Sequence, residues 1–307
     1  MTNVAFIFPG QGTQSVGMGR ELYEASPEAK AVIDRADEVI GNGLKSVMFE
    51  GPQEKLTTTA FCQPAILTAS IAALKALEAH DKFKELKVCF TAGLSLGEYS
   101  ALAASGALSF EDTLNLVRTR SGLMEEATKL QAGKMAAVIG FDKEKLVEIC
   151  RKTGAQVANY NSLQQIVITG HAAKVEEAAR LCKEGGAKNV VMLDVSGAFH
   201  STLMQSAAEK FGPQLAGVAF GPAAIPIVSN VDAQPASEPE KIRENLAAQI
   251  TSSVQWVDSV LYMAGQGVAT FIEIGPGRVL KGLIRKIDTN LKVVNIEKPA
   301  DIEALSI

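Results

Sequence analysis

A serine placed between two glycines, where a strand passes into a helix, constrains the fold of this chain most. Residues 88–92 form an apolar, strand-forming run, residues 93–97 read Gly-Leu-Ser-Leu-Gly, and residues 98–104 have the composition of a helix. This order predicts a nucleophile elbow, in which the hydroxyl of Ser95 stands clear of the sheet edge. The N–H group of Leu96 would lie beside it at a helix N-terminus, where unpaired donors favour negative charge. The alternative is a plain turn with Ser95 as the helix N-cap.

The other strands and helices predict an α/β fold with a parallel sheet, of the α/β-hydrolase-like type that carries such an elbow. A buried strand at 4–8 runs into a loop at 9–14 that holds two glycines and two glutamines. This loop either lies at the carboxyl edge of the sheet, where open α/β sheets bind ligands, or is a simple Pro-Gly turn. Further predicted strands are 225–229, 270–274 and 293–296, and predicted helices are 21–47 with breaks at 26–27 and 41–43, 57–79, 110–128, 201–215, 240–250, 256–266 and 279–286.

A different pattern occupies the middle of the chain. Strands are predicted at 135–140, 157–160, 166–169 and 190–195, helices at 143–152 and 172–183, and a turn at 161–164. The order strand-helix-strand-strand-helix-strand is typical of a ferredoxin-like unit. We therefore expect a ferredoxin-like subdomain at 131–196, inserted into an α/β-hydrolase-like catalytic domain formed by 1–130 and 197–307.

Composition and charge narrow the classes of partner. The 307 residues carry a net charge of -4 and the pI is about 5.6, which argues against nucleic acid or an anionic membrane as the main partner. The four cysteines are scattered without a C-x-x-C pair, so we expect reduced thiols rather than a zinc site or disulfides. The first residues do not read as a signal peptide, and no apolar run approaches membrane-spanning length. These features predict a cytoplasmic protein.

A serine nucleophile needs a base, and histidine is the usual partner near neutral pH. Of the three histidines, His80 ends a helix among charged residues, and His171 follows a turn in the inserted unit. His200 lies just after the small residues 196–198, where the chain re-enters the large domain, and is therefore the preferred base. The group that orients its ring is either Asp194 or a backbone carbonyl.

Arg120 is the candidate anchor for an acidic substrate. It lies on a predicted helix, close to the apolar face of that helix. A buried arginine there would need a carboxylate, which a substrate acid could supply as a bidentate partner. The alternative is an exposed arginine that pairs with Glu125 or Glu126 of the same helix.

A set of motifs, each weak alone, together resembles one family: the malonyl-CoA:acyl carrier protein transacylases of fatty acid synthesis, with the related acyltransferase domains of polyketide synthases. The resemblance extends from Asn3 to Glu297. The motifs are FPGQG at 8–12, QPA at 63–65, GLSLGE at 93–98, Arg120 with Met124, FH at 199–200, NV at 230–231 and EIGPG at 273–277.

The resemblance implies a ping-pong transfer of a malonyl group from malonyl-CoA to the phosphopantetheine thiol of acyl carrier protein. Ser95 would carry the malonyl ester, His200 would act as base and later as acid, and Arg120 would hold the malonyl carboxylate. The other implied roles are an oxyanion hole from the N–H groups of Gln11 and Leu96, a main-chain carbonyl of Gln249 that orients the histidine, a rim at Gln63 and Asn161, and a preference for malonyl over methylmalonyl at Phe199.

Two positions depart from the family pattern. Position 94 is leucine where many members have histidine, but this residue would line the elbow rather than react. Position 125 is glutamate where glutamine is common, so we expect an extra acid near Arg120.

The carrier protein of this family is acidic, so the chain is expected to present a local basic face. Lys281, Arg285 and Lys286 on the last long predicted helix are candidates, although a basic helix end is often only a solvated surface. We expect a monomer that uses neither a cofactor nor a metal. A stand-alone polyketide-type acyltransferase, a serine thioesterase or esterase, and a non-catalytic carrier-docking module remain as alternatives.

Overall fold

The computed structural model describes residues 2–41 and 43–306, and within them the chain forms ten β-strands and fourteen α-helices. Met1, Asn42 and Ile307 lie outside the described residues, so the predicted helix break at 41–43 is described only at its two glycines. The strands are β1 (Thr2–Phe8), β2 (Leu86–Gly93), β3 (Gly133–Ile139), β4 (Gln156–Ser162), β5 (Gln165–His171), β6 (Asn189–Met192), β7 (Ile227–Val228), β8 (Pro235–Ala236), β9 (Thr270–Ile274) and β10 (Lys292–Ile296). The helices are α1 (Arg20–Ala25), α2 (Pro27–Ile40), α3 (Leu44–Glu50), α4 (Gln53–Thr57), α5 (Thr59–Glu78), α6 (Gly97–Ala104), α7 (Phe110–Leu130), α8 (Lys143–Thr153), α9 (Ala172–Glu184), α10 (Gln205–Ala216), α11 (Pro239–Gln249), α12 (Trp256–Gly265), α13 (Val279–Ile284) and α14 (Pro299–Glu303).

The large sheet contains six strands in the order β10-β9-β1-β2-β7-β8. All of its neighbouring pairs are parallel except β7 with β8, which confirms the predicted α/β class with a parallel sheet. In the central pair, Phe8 at the end of β1 lies beside Gly93 at the end of β2. The loops that follow these two strands therefore leave the sheet at the same carboxyl edge, where ligands bind in open α/β sheets.

The large sheet is covered on both faces, because the side chains of a strand alternate between them. In β1, Val4, Phe6 and Phe8 belong to one buried cluster, whereas Ala5 and Ile7 belong to the other. Helix α5 lies in the first cluster. The expectation that no apolar run approaches membrane-spanning length is wrong for this helix, which is the one helix among the described residues that is long and apolar enough to cross a membrane. However, 83% of its most apolar window is buried inside the fold. Such burial is typical of a core helix.

The small sheet contains the strands β4-β5-β3-β6, all antiparallel, and the strand and helix order along the chain is the one predicted. One face packs on α8 and α9 around a cluster of its own. Met135, Ala137 and Val167 belong instead to the first cluster of the large sheet. Backbone hydrogen bonds between Val254 and β4 add a second link between the two parts. The small sheet therefore forms a wall beside the large one.

Several predicted boundaries shift in the structure. The turn predicted at 161–164 is wrong for Asn161 and Ser162, because irregular pairing with β5 continues β4 to Ser162. The two-residue strand β8 and the five-residue helix α14 escape prediction because such short elements carry no hydrophobic period.

Candidate active site

The turn between β2 and α6 holds Ser95 in a left-handed backbone conformation, with a φ of 55°. Side chains on the two flanking glycines would collide with neighbouring backbone: a Cβ on Gly93 would overlap Gly97, and one on Gly97 would overlap the carbonyl of Phe8. A Cβ on Gly10, in the loop after β1, would likewise overlap the carbonyl oxygen of Leu94. The close contact of these two loops explains the glycines of both motifs and confirms the predicted strand, turn and helix.

Asn230 braces the turn from the loop after β7. Its Oδ1 accepts a hydrogen bond from the N–H of Ser95 at 2.6 Å, and its Nδ2 donates one to the carbonyl of Gly93 at 2.6 Å. The side chain is buried, so these bonds form away from water. The sequence motif around Asn230 gave no role for it, because a bracing contact joins residues far apart along the chain.

His200 lies against the serine. Its Nε2 is 2.7 Å from Ser95 Oγ, and its Nδ1 is 3.0 Å from the main-chain oxygen of Gln249. Since a carbonyl can only accept a hydrogen bond, Nδ1 carries the proton and Nε2 is free to accept from the hydroxyl. Burial, reinforced by the positive charge of Arg120, lowers the pKa of His200 to about 4, so the ring is neutral at physiological pH.

Of the two groups considered for orienting the ring, the main-chain oxygen of Gln249 is the one within hydrogen-bond distance of Nδ1. Asp194 lines the cavity in front of the serine, but the proton on Nδ1 of His200 is directed to Gln249. The other two histidines lie elsewhere: His80 is 3.3 Å from Glu303, and His171 is exposed before α9.

Arg120 is buried and directed at the serine. Its guanidinium donates to Gln63 Oε1 at 2.8 Å, to Gln249 Oε1 at 3.1 Å and to Ser95 Oγ at 3.3 Å. The ring of Tyr99 packs against it, with 5.2 Å between the guanidinium carbon and the ring centroid. None of these described partners is a carboxylate, so the site presents a buried cation whose strongest natural partner would be an acid.

The alternative of an exposed Arg120 is wrong. Glu125 pairs with Lys129 at 3.0 Å and Glu126 pairs with Lys210 at 2.8 Å, both on the outer side of α7. The extra acid expected near Arg120 therefore pairs with Lys129 and is not among the described hydrogen-bond partners of the guanidinium.

A cavity of about 470 Å³ opens in front of the serine, between the large and small sheets. This volume is within the range of small-molecule sites. The large sheet and the loops around it contribute one wall of the cavity, which includes Gln11, Leu96 and Phe199. The small sheet contributes the opposite wall, where the Oδ1 atom of Asn161 is buried without a hydrogen-bond partner among the described residues.

No group of three or more histidine, cysteine, aspartate or glutamate side chains that could hold a metal is found in residues 2–41 and 43–306. The predicted basic residues lie at the end of α13: Lys281 is partly buried, and Arg285 and Lys286 are exposed. The helix ends at Ile284, so the last two follow it instead of lying on it.

Glu98, in the first turn of α6, is a second buried polar residue, after Asn230, for which the sequence predicted no role. It is 2% exposed, and burial raises the pKa of its carboxyl to about 7. One sequence feature could have predicted its burial: Glu98 is a lone acid at the start of a helix that continues with tyrosine, serine, alanine and leucine.

Fold and site together describe an acyltransferase, and a family model for the acyl transferase domain matches residues 5–297. The chain is 47% identical to the malonyl CoA-acyl carrier protein transacylase of Bacillus subtilis, over 99% of this chain and 96% of that protein. The chain thus belongs to the acyl transferase family and, within it, to the malonyl CoA-acyl carrier protein transacylases, which confirms the resemblance.

Solved structures agree with this placement. The acyl-carrier-protein S-malonyltransferase of Bartonella henselae superimposes with a TM-score of 0.94 at 40% identity, over 99% of this chain and 98% of that one. A malonyl-transacylase solved in complex with a type II polyketide-synthase acyl-carrier protein also gives a TM-score of 0.94, at 36% identity, over 99% of this chain and 98% of that one.

Proposed function

We propose that this protein transfers a malonyl group from malonyl-CoA to the phosphopantetheine thiol of acyl carrier protein, for fatty acid biosynthesis. One observation carries the proposal: a single hydroxyl, that of Ser95, lies between a neutral histidine and a buried guanidinium. The histidine fits the task of deprotonating the serine. The guanidinium fits the free carboxylate that distinguishes a malonyl group from an acetyl group.

In the first half of the reaction, Nε2 of His200 takes the hydroxyl proton while Oγ of Ser95 attacks the thioester carbon. The negative oxygen that forms is stabilised by the N–H groups of Gln11 and Leu96 at the carboxyl edge of the sheet. Collapse of this intermediate breaks the bond to sulfur, and the imidazolium returns its proton to the departing CoA thiolate. Malonyl remains as an ester on the serine.

The second half reverses these roles with a new acceptor. The thiol of the carrier protein gives its proton to His200 and attacks the ester, and the serine leaves with that proton restored. Arg120 holds the malonyl carboxylate throughout, with Gln63 beside it. The ring of Phe199 and the amide of Asn161 shape the cavity around the acyl group and limit the space for an α-methyl.

We also propose the domain arrangement that suits this reaction. An α/β-hydrolase-like catalytic domain would comprise 1–130 and 197–307, and a ferredoxin-like subdomain would comprise 131–196. The protein would act as a cytoplasmic monomer without a cofactor, and neither nucleic acid nor a membrane would be a partner.

The acidic carrier protein would dock near Lys281, Arg285 and Lys286. Charge reversal at these residues should weaken transfer to the carrier protein but not acylation by malonyl-CoA.

Intact-protein mass spectrometry after mixing with malonyl-CoA tests the proposal. The wild type should gain the mass of one malonyl group, the peptide that contains Ser95 should carry it, and Ser95→Ala should gain none. Adding carrier protein should then remove the label by transfer to its thiol.

Two other results would reject the proposal. Rapid release of free malonate without any thiol acceptor would identify a thioesterase or esterase. Carrier binding that persists in Ser95→Ala, with no acyl-enzyme in the wild type, would identify a docking module.

A further inference from the structure

A buried carboxyl lies behind the proposed catalytic groups. Oε2 of Glu98 accepts a hydrogen bond from Nε2 of Gln249 at 2.6 Å, and Oε1 accepts one from the backbone N–H of Asn230 at 3.4 Å. The proposed reaction assigns this carboxyl no step. A buried acid is costly to ionise unless it is paired and hydrogen-bonded, so its presence beside the active site calls for a physical reason.

The side chain of Gln249 connects this carboxyl to the guanidinium. Its Nε2 donates to Glu98 and to the carbonyl of Ser95, the latter at 2.9 Å, while its Oε1 accepts from Arg120. An ionised carboxylate cannot donate and a guanidinium cannot accept, so only one orientation of the amide satisfies both neighbours. Glu98 and Arg120 thereby lock the residue whose main-chain oxygen holds His200.

The same arrangement provides a counter-charge for the buried guanidinium of Arg120. Arg120 is 1% exposed and makes no direct contact with a carboxylate among its described hydrogen bonds. A buried cation without a counter-charge is strongly destabilising. Glu98, across one amide group, is the acid that supplies this counter-charge when no substrate carboxylate is present.

We propose that Glu98 is a positioning residue of the transfer reaction. As an anion it fixes the Gln249 amide, and through it His200 and Arg120, and it neutralises Arg120 until a malonyl carboxylate arrives. This inference rests on the proposed function, because it takes Arg120 as the site of the malonyl carboxylate.

Binding of a malonyl group should change the protonation of Glu98. When the malonyl carboxylate reaches Arg120, two acids share one guanidinium, and like charges disfavour ionisation of the weaker acid. The charged or titratable groups that face Glu98 are Arg120 and Tyr99, while His200 lies on the other side of Gln249. Burial already raises the pKa of Glu98 to about 7, so Glu98 is the group placed to take up a proton.

The first test compares Glu98→Gln with the wild type in acylation by malonyl-CoA and by acetyl-CoA. Glutamine has the same shape but can present either an oxygen or an N–H₂ group to Gln249, so the orientation of Gln249 is no longer uniquely fixed. We expect kcat to fall about ten-fold with acetyl-CoA, with which Glu98 of the wild type stays ionised, and to fall less with malonyl-CoA, with which Glu98 of the wild type takes up a proton. The competing carboxylate is also absent, so KM for malonyl-CoA should fall relative to that for acetyl-CoA. The rise of kcat/KM through pH 7 in the wild type should disappear in the variant. Glu126→Gln, an exposed acid on α7, is the matched control and should behave as wild type.

The second test has a main comparison, malonyl-CoA against acetyl-CoA, that uses a variant in which Glu98 is unchanged. Ser95→Ala is titrated calorimetrically with malonyl-CoA at pH 7 in buffers of different ionisation enthalpy. Malonyl-CoA should bind with net proton uptake and acetyl-CoA should not, and the uptake should vanish in Ser95→Ala combined with Glu98→Gln.

The outcomes separate the two proposals. If the wild type forms no acyl-Ser95, the proposed function fails and this inference fails with it. If the wild type is acylated but Glu98→Gln keeps the wild-type kcat, substrate ratio and pH profile, only the positioning role of Glu98 is overturned. Equal proton uptake with malonyl-CoA and acetyl-CoA also overturns it.

Discussion

The two sheets of this protein differ in where they place their charges. The large-sheet region, which comprises β1, β2 and β7–β10 with their helices, buries Glu98, Arg120 and His200 in one hydrogen-bonded network. The small-sheet region, which comprises β3–β6 with α8 and α9, holds its charges in exposed pairs such as Lys134 with Glu176. Exposed ion pairs contribute little to the free energy of folding. Buried titratable groups, in contrast, have shifted pKa values and are often found at functional sites. We therefore assign the reaction to the large-sheet region and the shape of the cavity to both regions.

The largest expected effect comes from removing the proposed base of the large-sheet region. His200→Ala should reduce the rate of acylation by malonyl-CoA about a thousand-fold, because a positioned base contributes rates of this order. His171→Ala, an exposed histidine of the small-sheet region, is the control and should leave the rate unchanged. Stopped-flow measurement of CoA release checks both variants. A comparable loss of acylation rate in His171→Ala would contradict the assignment of the reaction to the large-sheet region.

The next effect concerns selectivity. Arg120→Ala should lower the ratio of malonyl to acetyl acylation about a hundred-fold, since loss of one partner of a buried charge pair costs several kcal/mol. Arg118→Ala is the matched control, because Arg118 lies on the same helix but is exposed and donates to the carbonyl of Val39. Competition between the two CoA esters measures the ratio. An unchanged ratio in Arg120→Ala would remove the guanidinium from its proposed role.

A third effect concerns stability as a function of pH. The pKa of His200 is about 4 in the folded protein and 6.5 in the unfolded chain, so between these values only the unfolded chain binds the proton. Stability that is present above about pH 6.5 is therefore lost as the pH falls toward 4. Between pH 7 and pH 5 the wild type should lose about 2 kcal/mol more than His200→Gln in urea unfolding.

The control for this comparison lies in the small-sheet region. Glu176→Gln alters an exposed pair and should keep the wild-type loss of stability between the two pH values. If the free energy of unfolding of His200→Gln falls between pH 7 and pH 5 by as much as that of the wild type, the buried imidazole is not responsible for the pH dependence of stability.

The smallest effect is expected in the small-sheet wall. Asn161→Ala removes an amide whose Oδ1 has no partner among the described residues, so acyl-enzyme should still form. We expect KM for malonyl-CoA to rise by no more than about ten-fold, which is the worth of one hydrogen bond. Steady-state kinetics check this variant. A loss as large as that of His200→Ala would place chemistry in the small-sheet region as well.

Much of this arrangement can be read from the sequence. The glycines around Ser95 and the scarcity of histidines indicated two of the three central side chains. The family resemblance was needed to favour a buried Arg120 over an exposed one. The order of the longer strands and helices predicted both sheets, because the apolar runs and hydrophobic periods of these elements are typical of their types.

Other features are not visible in residue types. The oxygen that orients His200 is a backbone atom of Gln249, and every residue has such an atom. The contact of Glu98 with Gln249 joins positions 151 residues apart. The extension of β4 through Asn161 depends on irregular pairing with β5, which local composition does not encode.

The most direct measurement is the stoichiometry of CoA release when enzyme and malonyl-CoA are mixed without carrier protein. Our account predicts a rapid burst of one CoA per enzyme, after which release stops and the malonyl group is recovered on Ser95. Continuous release of CoA together with free malonate, or recovery of the malonyl group on another residue, would contradict it.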